Sequence, residues 1–275
     1  MKKLFTVLAM LAMTVASMAQ DDKPNLVVSD FVNKSNASRV ACNNLRQEIV
    51  SGIIATDRLT IVEETTLGDV PKAKNERLLF FSNMGIQYNL EGSLNSVDTK
   101  SYTSSSGTTR YNATINYTLT LIETETGVTV TSETFKDSYT IGATSDEAIL
   151  KAIEYAKKRM KRFIDNNFKV EAFIKALDEV DDKKGAKSCY ISVGKDAGIS
   201  KGQIFEVFCK VEIAGEAIDK KVGEIRVEEV LSGTLSKCSV KSGGPDIKRN
   251  FESQTKLTVL TRAKKLNPLE QLLGQ

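Results

Sequence analysis

The residues in this chain best suited to chemistry are its four cysteines, Cys42, Cys189, Cys209 and Cys238. They form no CxxC pair, and the 275 residues contain no histidine that could complete a zinc set. The same absence removes histidine-based triads and the commonest general base. Three of the cysteines fall in the later, strand-rich part of the chain. In an oxidising compartment Cys209 and Cys238 could close a disulfide; the alternative is that all three are small buried thiols. Cys42 adjoins an apolar helical stripe and is expected in a core. Gly194, Gly198 and Gly202 are spaced like a phosphate-cradling loop. However, no Lys-Ser/Thr pair follows in register, and the segment enters a strand rather than a helix, so these glycines read as turn residues. Acidic pairs stand at Asp21-Asp22, Glu63-Glu64, Asp181-Asp182 and Glu228-Glu229. Hydrolysis of a glycosidic bond would need two carboxylates held across a cleft, whereas neighbours on a strand point to opposite faces and acids in turns are solvated. No catalytic residue, metal ligand or cofactor site is expected.

Two further patterns bear on surfaces. A basic run, Lys157, Lys158, Arg159, Lys161 and Arg162, lies on one face of a long helix. It could meet anionic lipid or an envelope polymer, or be a solvated face with Glu154 and Lys158 paired one turn apart. Residues 110–123 alternate cleanly, with Tyr111, Ala113, Ile115, Tyr117, Leu119 and Leu121 on one side and Asn112, Thr114, Asn116, Thr118 and Thr120 on the other. That strand is long enough to cross a bilayer when tilted, so a pore hairpin is one reading; packing against the long helix is the other. Its partner, residues 128–141, alternates poorly and carries Lys136 and Asp137 in its middle.

Residues 1–19 have the pattern of a secretory leader: Lys2-Lys3, an apolar stretch from Leu4 to Ala16, and Ser17-Met18-Ala19 as the cleavage signal. The apolar stretch is too short to span hydrocarbon about 30 Å thick. Export to the periplasm is expected, with a mature chain beginning at Gln20. No cysteine near that site could accept a lipid anchor, so any outer-membrane association would need another route. The formal charge is +3, and removing Lys2 and Lys3 leaves +1, which gives no electrostatic case for nucleic acid. With no tryptophan, the usual sugar-stacking platform is missing as well.

The elements that must position these residues follow from periodicity. Residues 25–31 read as a buried strand, and residues 37–55 as a helix with Ala41, Leu45, Ile49 and Ile53 in an i, i+4 stripe. Residues 59–63 form a second strand, giving a strand-helix-strand opening. A helix over about 70–83 and strands over 88–97, 110–123 and 128–141 follow. A long helix then opens on a capping box, Thr144 with Glu147, and buries Ile149, Ala152, Ile153, Ala156, Met160, Phe163 and Ile164. Beyond Phe168 the chain turns to short strands and glycine turns, the pattern of a small barrel or sandwich. Residues 170–180 fit strand and helix equally. In the tail, Pro268 precedes Leu269, Leu272 and Leu273, which one helical face would gather as a contact surface.

Several segments carry a family resemblance. Val27-Val28-Ser29-Asp30-Phe31-Val32-Asn33-Lys34-Ser35, Arg58-Leu59-Thr60-Ile61-Val62-Glu63, Tyr88-Asn89-Leu90-Glu91-Gly92-Ser93-Leu94 and Leu119 to Gly127 follow one another as in the CsgG-like envelope domain, and residues 25–168 resemble it. That family includes the curli-secretion pore protein and outer-membrane activators of penicillin-binding proteins. Residues 169–262 look like the C-terminal β domain of FlgT-like flagellar-assembly proteins, through Ile191-Ser192-Val193-Gly194, Gly198 to Val207 and Val222 to Val230. The expectation is therefore an α+β protein: leader 1–19, a CsgG-like sheet-and-helix domain 20–168, a small β-barrel domain 169–263 and a tail 264–275. The resemblance implies a non-enzymatic envelope scaffold or assembly factor that contacts other envelope proteins and is able to self-associate. The rival is a subunit of an outer-membrane secretion pore.

Overall fold

The computed structural model describes residues 23–103, 105 and 107–262. The leader and the tail leucines Leu269, Leu272 and Leu273 lie outside them. The chain is α+β. It begins with β1 (Asn25–Val28), β2 (Val32–Asn33), α1 (Arg39–Ile54), β3 (Thr60–Val62), α2 (Lys74–Asn83), β4 (Tyr88–Thr103), β5 (Thr109–Glu123), β6 (Thr129–Gly142) and α3 (Ser145–Asn167). It continues with β7 (Glu171–Leu177), β8 (Val180–Asp181), β9 (Gly185–Ala186), β10 (Ser188–Ile191), β11 (Ile204–Ile213), β12 (Glu216–Val230), β13 (Ser236–Ser242), α4 (Gly244–Glu252) and β14 (Leu257–Arg262).

The first sheet has the order β3-β1-β4-β5-β6, with β2 beside β4. β1 is parallel to β3 and β4, with α1 as the crossover from β1 to β3, while β4, β5 and β6 run as an antiparallel meander. α1 starts where the Ser38 hydroxyl accepts the Ala41 amide, and α3 where the Thr144 hydroxyl accepts the Glu147 amide. Glu147 reaches back past the cap, where its carboxylate accepts the Ala143 amide at 2.7 Å. α1 and α3 cover one face of the sheet, where Leu26, Val28, Leu45, Ile49, Leu90, Ile115, Leu119, Ala156 and Phe163 share one core. α2 lies under the opposite face near β1, where Phe81 packs on Val27 and Ile86. Helix α2 starts at Lys74, later than the expected Val70, because Pro71 holds the residue before it out of the helical region.

Six antiparallel strands close a barrel in the order β10-β13-β12-β11-β14-β7. Its core is separate from the first and holds Ile174, Ile191, Phe205, Val207, Ile225, Val227 and Val259. The ambiguous residues 170–180 supply strand β7, because a closed barrel needs a strand between β10 and β14. Helix α4 is absent from the sequence expectation. It opens on Gly243 in the left-handed conformation, with Pro245 in its first turn, and places Ile247 in the barrel core.

Candidate interaction surfaces and buried polar sites

β6 forms one edge of the first sheet. It pairs only with β5, so its outer row of amides and carbonyls faces no strand among the described residues. Val128 and Ile141 at its two ends are each 59% exposed, and Val130 is 45% exposed. The open face of β5 and β6 is a ladder of hydroxyls: Thr114 with Ser138 at 2.9 Å, Thr118 with Thr134 at 3.0 Å, and Thr120 with Ser132 at 3.0 Å. The other face of β5 is sealed, because Ile115, Tyr117 and Leu119 are fully buried in the core shared with α3.

The poor alternation of β6 has a specific cause. Asp137 points inward and its side chain is fully buried. It accepts from the Tyr117 hydroxyl at 2.9 Å and from Arg159 Nε at 2.9 Å. Burial raises the Asp137 carboxyl above the usual aspartate range and outweighs the opposing pull of Arg159. A second buried pair ties the segment after α1 to the end of α3, beside the barrel. Arg58 and Asp165, whose side chains are 3% and 8% exposed, are 3.1 Å apart, and Arg58 also donates to the Phe168 carbonyl. Burial raises the Asp165 carboxyl too, against the charges of Lys161 and Arg58 and a hydrogen bond from Gln203 of the barrel. Neither pair was picked out from sequence. The available signal was a charge at a buried phase of the pattern: Asp137 in an inward position of a strand, and Asp165 directly after the buried Phe163 and Ile164.

At the carboxyl end of β1 a polar groove of about 420 Å³ is lined by Ser29, Asp30, Lys34, Arg77 and Glu91, among others. Arg77 donates to Ser29 Oγ at 3.0 Å and to Glu64 at 2.5 Å, and Ser29 donates to Asn89 at 2.7 Å. Acids and bases balance there, so the groove has no marked charge preference.

The other residues singled out from sequence are dispersed. Cys209 sits on β11 and Cys238 on β13, with β12 between them. Two strand spacings amount to about 10 Å, beyond the reach of a disulfide of about 7 Å, so this arrangement holds no bridge between Cys209 and Cys238, the pair that could have closed one. All four cysteines are free and buried. Cys238 instead faces Cys189 across the β10–β13 ladder, and burial pushes the Cys189 thiol up to about 12. Cys42 lies in the first core. Asp181 accepts the Lys183 and Lys184 amides in a turn, and Glu228 and Glu229 are exposed on β12. Gly194 and Gly198 cap a single 3-10 turn, Lys195–Ala197, and with Gly202 lead into strand β11 and not into an α-helix. No described helix is long and apolar enough to cross a membrane.

No protein-family model matches the chain, and no curated protein matches it. Among solved structures, similarity extends over about half of the chain. The dodecameric PelC of Paraburkholderia phytofirmans is 15% identical, covers 50% of this chain and 84% of its own, and has a TM-score of 0.35. The C-terminal domain of LpoB from Salmonella enterica is 18% identical over 42% of this chain and 82% of its own, with a TM-score of 0.29. Lipoprotein GNA1162 of Neisseria meningitidis is 10% identical over 50% of this chain and 97% of its own, with a TM-score of 0.33.

Proposed function

We propose that this protein is exported to the cell envelope and works there without catalysis, as a scaffold that binds partner proteins by adding a strand to the edge of β6. The observation that carries this reading is the open edge of a 14-residue strand with exposed valines and an isoleucine, in a chain whose reactive side chains are scattered or buried. Unpaired edges are templates for strand addition, with main-chain hydrogen bonds giving affinity and side-chain pockets giving specificity. The leader-like residues 1–19 and the resemblance of residues 25–168 to the CsgG-like domain support the compartment. The burial of Ile115 and Leu119 under α3 favours a scaffold over the pore subunit, since those side chains would have to leave a packed core to meet lipid.

The test compares envelope proteins retained by the wild-type chain and by Val130→Lys/Ile141→Lys, since edge lysines discourage strand pairing. A defined set retained by wild type and lost from the variant supports strand addition. Identical sets for both proteins overturn it. The tail is a second proposed contact: deleting residues 266–275 should weaken partner binding or self-association and leave unfolding cooperative.

A further inference from the structure

Where the sheet unit meets the barrel, two walls enclose a cleft of about 380 Å³. One wall is the end of α1, from Gly52 to Asp57, with Lys157, Lys158 and Lys161 of α3; the other is the barrel loop with Lys195, Ile199 and Ser200. We infer that this cleft is a binding site for a small phosphate-bearing anion.

Four lysines, Lys157, Lys158, Lys161 and Lys195, line one concave space, and none of them makes a salt bridge with a described residue. The one carboxylate on the lining, Asp57, is already held by Lys23 at 2.6 Å. Asp165 offsets part of the Lys161 charge and Lys158 lies over the Tyr155 ring at 4.7 Å, and a multivalent anion would balance the positive charge that remains. The lining offers lysines and no arginine. Lysine binds phosphate as a point charge, and several of them around one space suit an anion whose charge is spread over several oxygens. Gly52, Ala55 and Ile199 give the site an apolar floor for the body of such a ligand.

The cleft is also preformed. A side chain at Gly52 would meet the Lys157 carbonyl at 2.6 Å, so α1 and α3 touch backbone to backbone there. Gly198, at φ +65°, sets the barrel loop against the end of α1; a Cβ there would meet the Thr56 and Asp57 carbonyls at 2.7 Å. Lys161 Nζ reaches across to Ser200 Oγ at 3.4 Å. The Arg58–Asp165 pair ties the end of α1 to α3 within the first wall, one residue from Asp57 and one helical turn from Lys161. A site held this firmly loses little to reorganisation on binding.

The inference is independent of strand addition at β6. Titration calorimetry of the full chain with pyrophosphate at low salt should give saturable binding. Lys161→Gln and Lys195→Gln, on opposite walls, should each weaken it about tenfold, with Tm unchanged. Lys157→Gln is the second variant on the α3 wall should Lys161→Gln lower Tm. Val130→Lys on β6 should leave binding unaltered. Vesicles of phosphatidylglycerol, set against phosphatidylcholine, separate the sources: binding lost with the same two substitutions identifies a lipid headgroup, and pyrophosphate binding without vesicle binding identifies a free phosphate compound. Absence of pyrophosphate binding up to about 10 mM overturns the site. Binding that ignores Lys195→Gln also overturns it, leaving a basic helix face and no cleft.

Discussion

Arg58 and Asp165 are 107 positions apart in sequence and meet where sheet and barrel join. Removing one member of such a buried pair strands the other charge, which costs far more than the pair gains. Arg58→Met should therefore lower unfolding free energy by about 3–5 kcal/mol in denaturant titrations. Adding Asp165→Leu should restore part of the loss, and only part, because the Phe168 carbonyl stays unpaired at about 1–3 kcal/mol. A single variant within about 0.5 kcal/mol of wild type would show that the pair clamps nothing. The other buried carboxylate makes a pH prediction. Asp137 holds its proton more tightly folded than unfolded, since its folded-state pKa lies above the ordinary value of 3.8. Its contribution to stability is greatest below that value and falls as pH climbs through the raised one. From about pH 3.5 to 7, Asp137→Asn should lose less stability than wild type in thermal unfolding; parallel profiles would sink the assignment.

β5 shows how one strand can satisfy two opposite readings. Its alternation is equally consistent with lipid on one side and water on the other, or with a helix on one side and water on the other. Ile115 and Leu119, both fully buried beneath α3, distinguish the two. Ile115→Asp or Leu119→Asp would place an unpaired carboxylate in that core and should destabilise the sheet unit by more than about 4 kcal/mol, read as loss of cooperative unfolding. A variant that unfolds like wild type but no longer associates with membranes would favour the pore reading. Ion conductance by wild-type protein in planar bilayers would do the same.

Two hydrophobic cores that share no residue divide the chain near Phe168 and Val170. We propose that they are separate folding units joined by polar contacts across the junction, in which Lys161 of α3 donates to Ser200 at 3.4 Å and to Gln203 at 3.5 Å on the barrel side. Fragments 20–168 and 169–275 should each unfold cooperatively on their own, as followed by circular dichroism and calorimetry. If neither folds alone, the cores depend on one another. The two fragments together should also lose the lysine cleft, because its walls come from both.

The period of the apolar residues was enough to place α1, α3 and β5 to within a few positions, since 3.6- and 2-residue repeats are properties of local backbone geometry. Thr144 and Glu147 marked the start of α3 in advance, because a capping signature spans only four residues. Contacts between distant segments were decided elsewhere. Residues 170–180 became a strand only because β10 and β14 needed a partner between them. Asp137 looked like a fault in β6 until Tyr117 and Arg159 arrived from two other elements to satisfy it. Cys209 and Cys238 both lie on strands, but strand order is not written in any local repeat, and the placing of β12 between them set their separation. The same holds for the lysines of the cleft: one face of α3 was legible as basic, while the concavity exists only because the barrel loop folds back against the end of α1. Local geometry repeats every few residues and so leaves a trace in sequence, whereas burial and charge pairing are settled by which surfaces tertiary packing brings together.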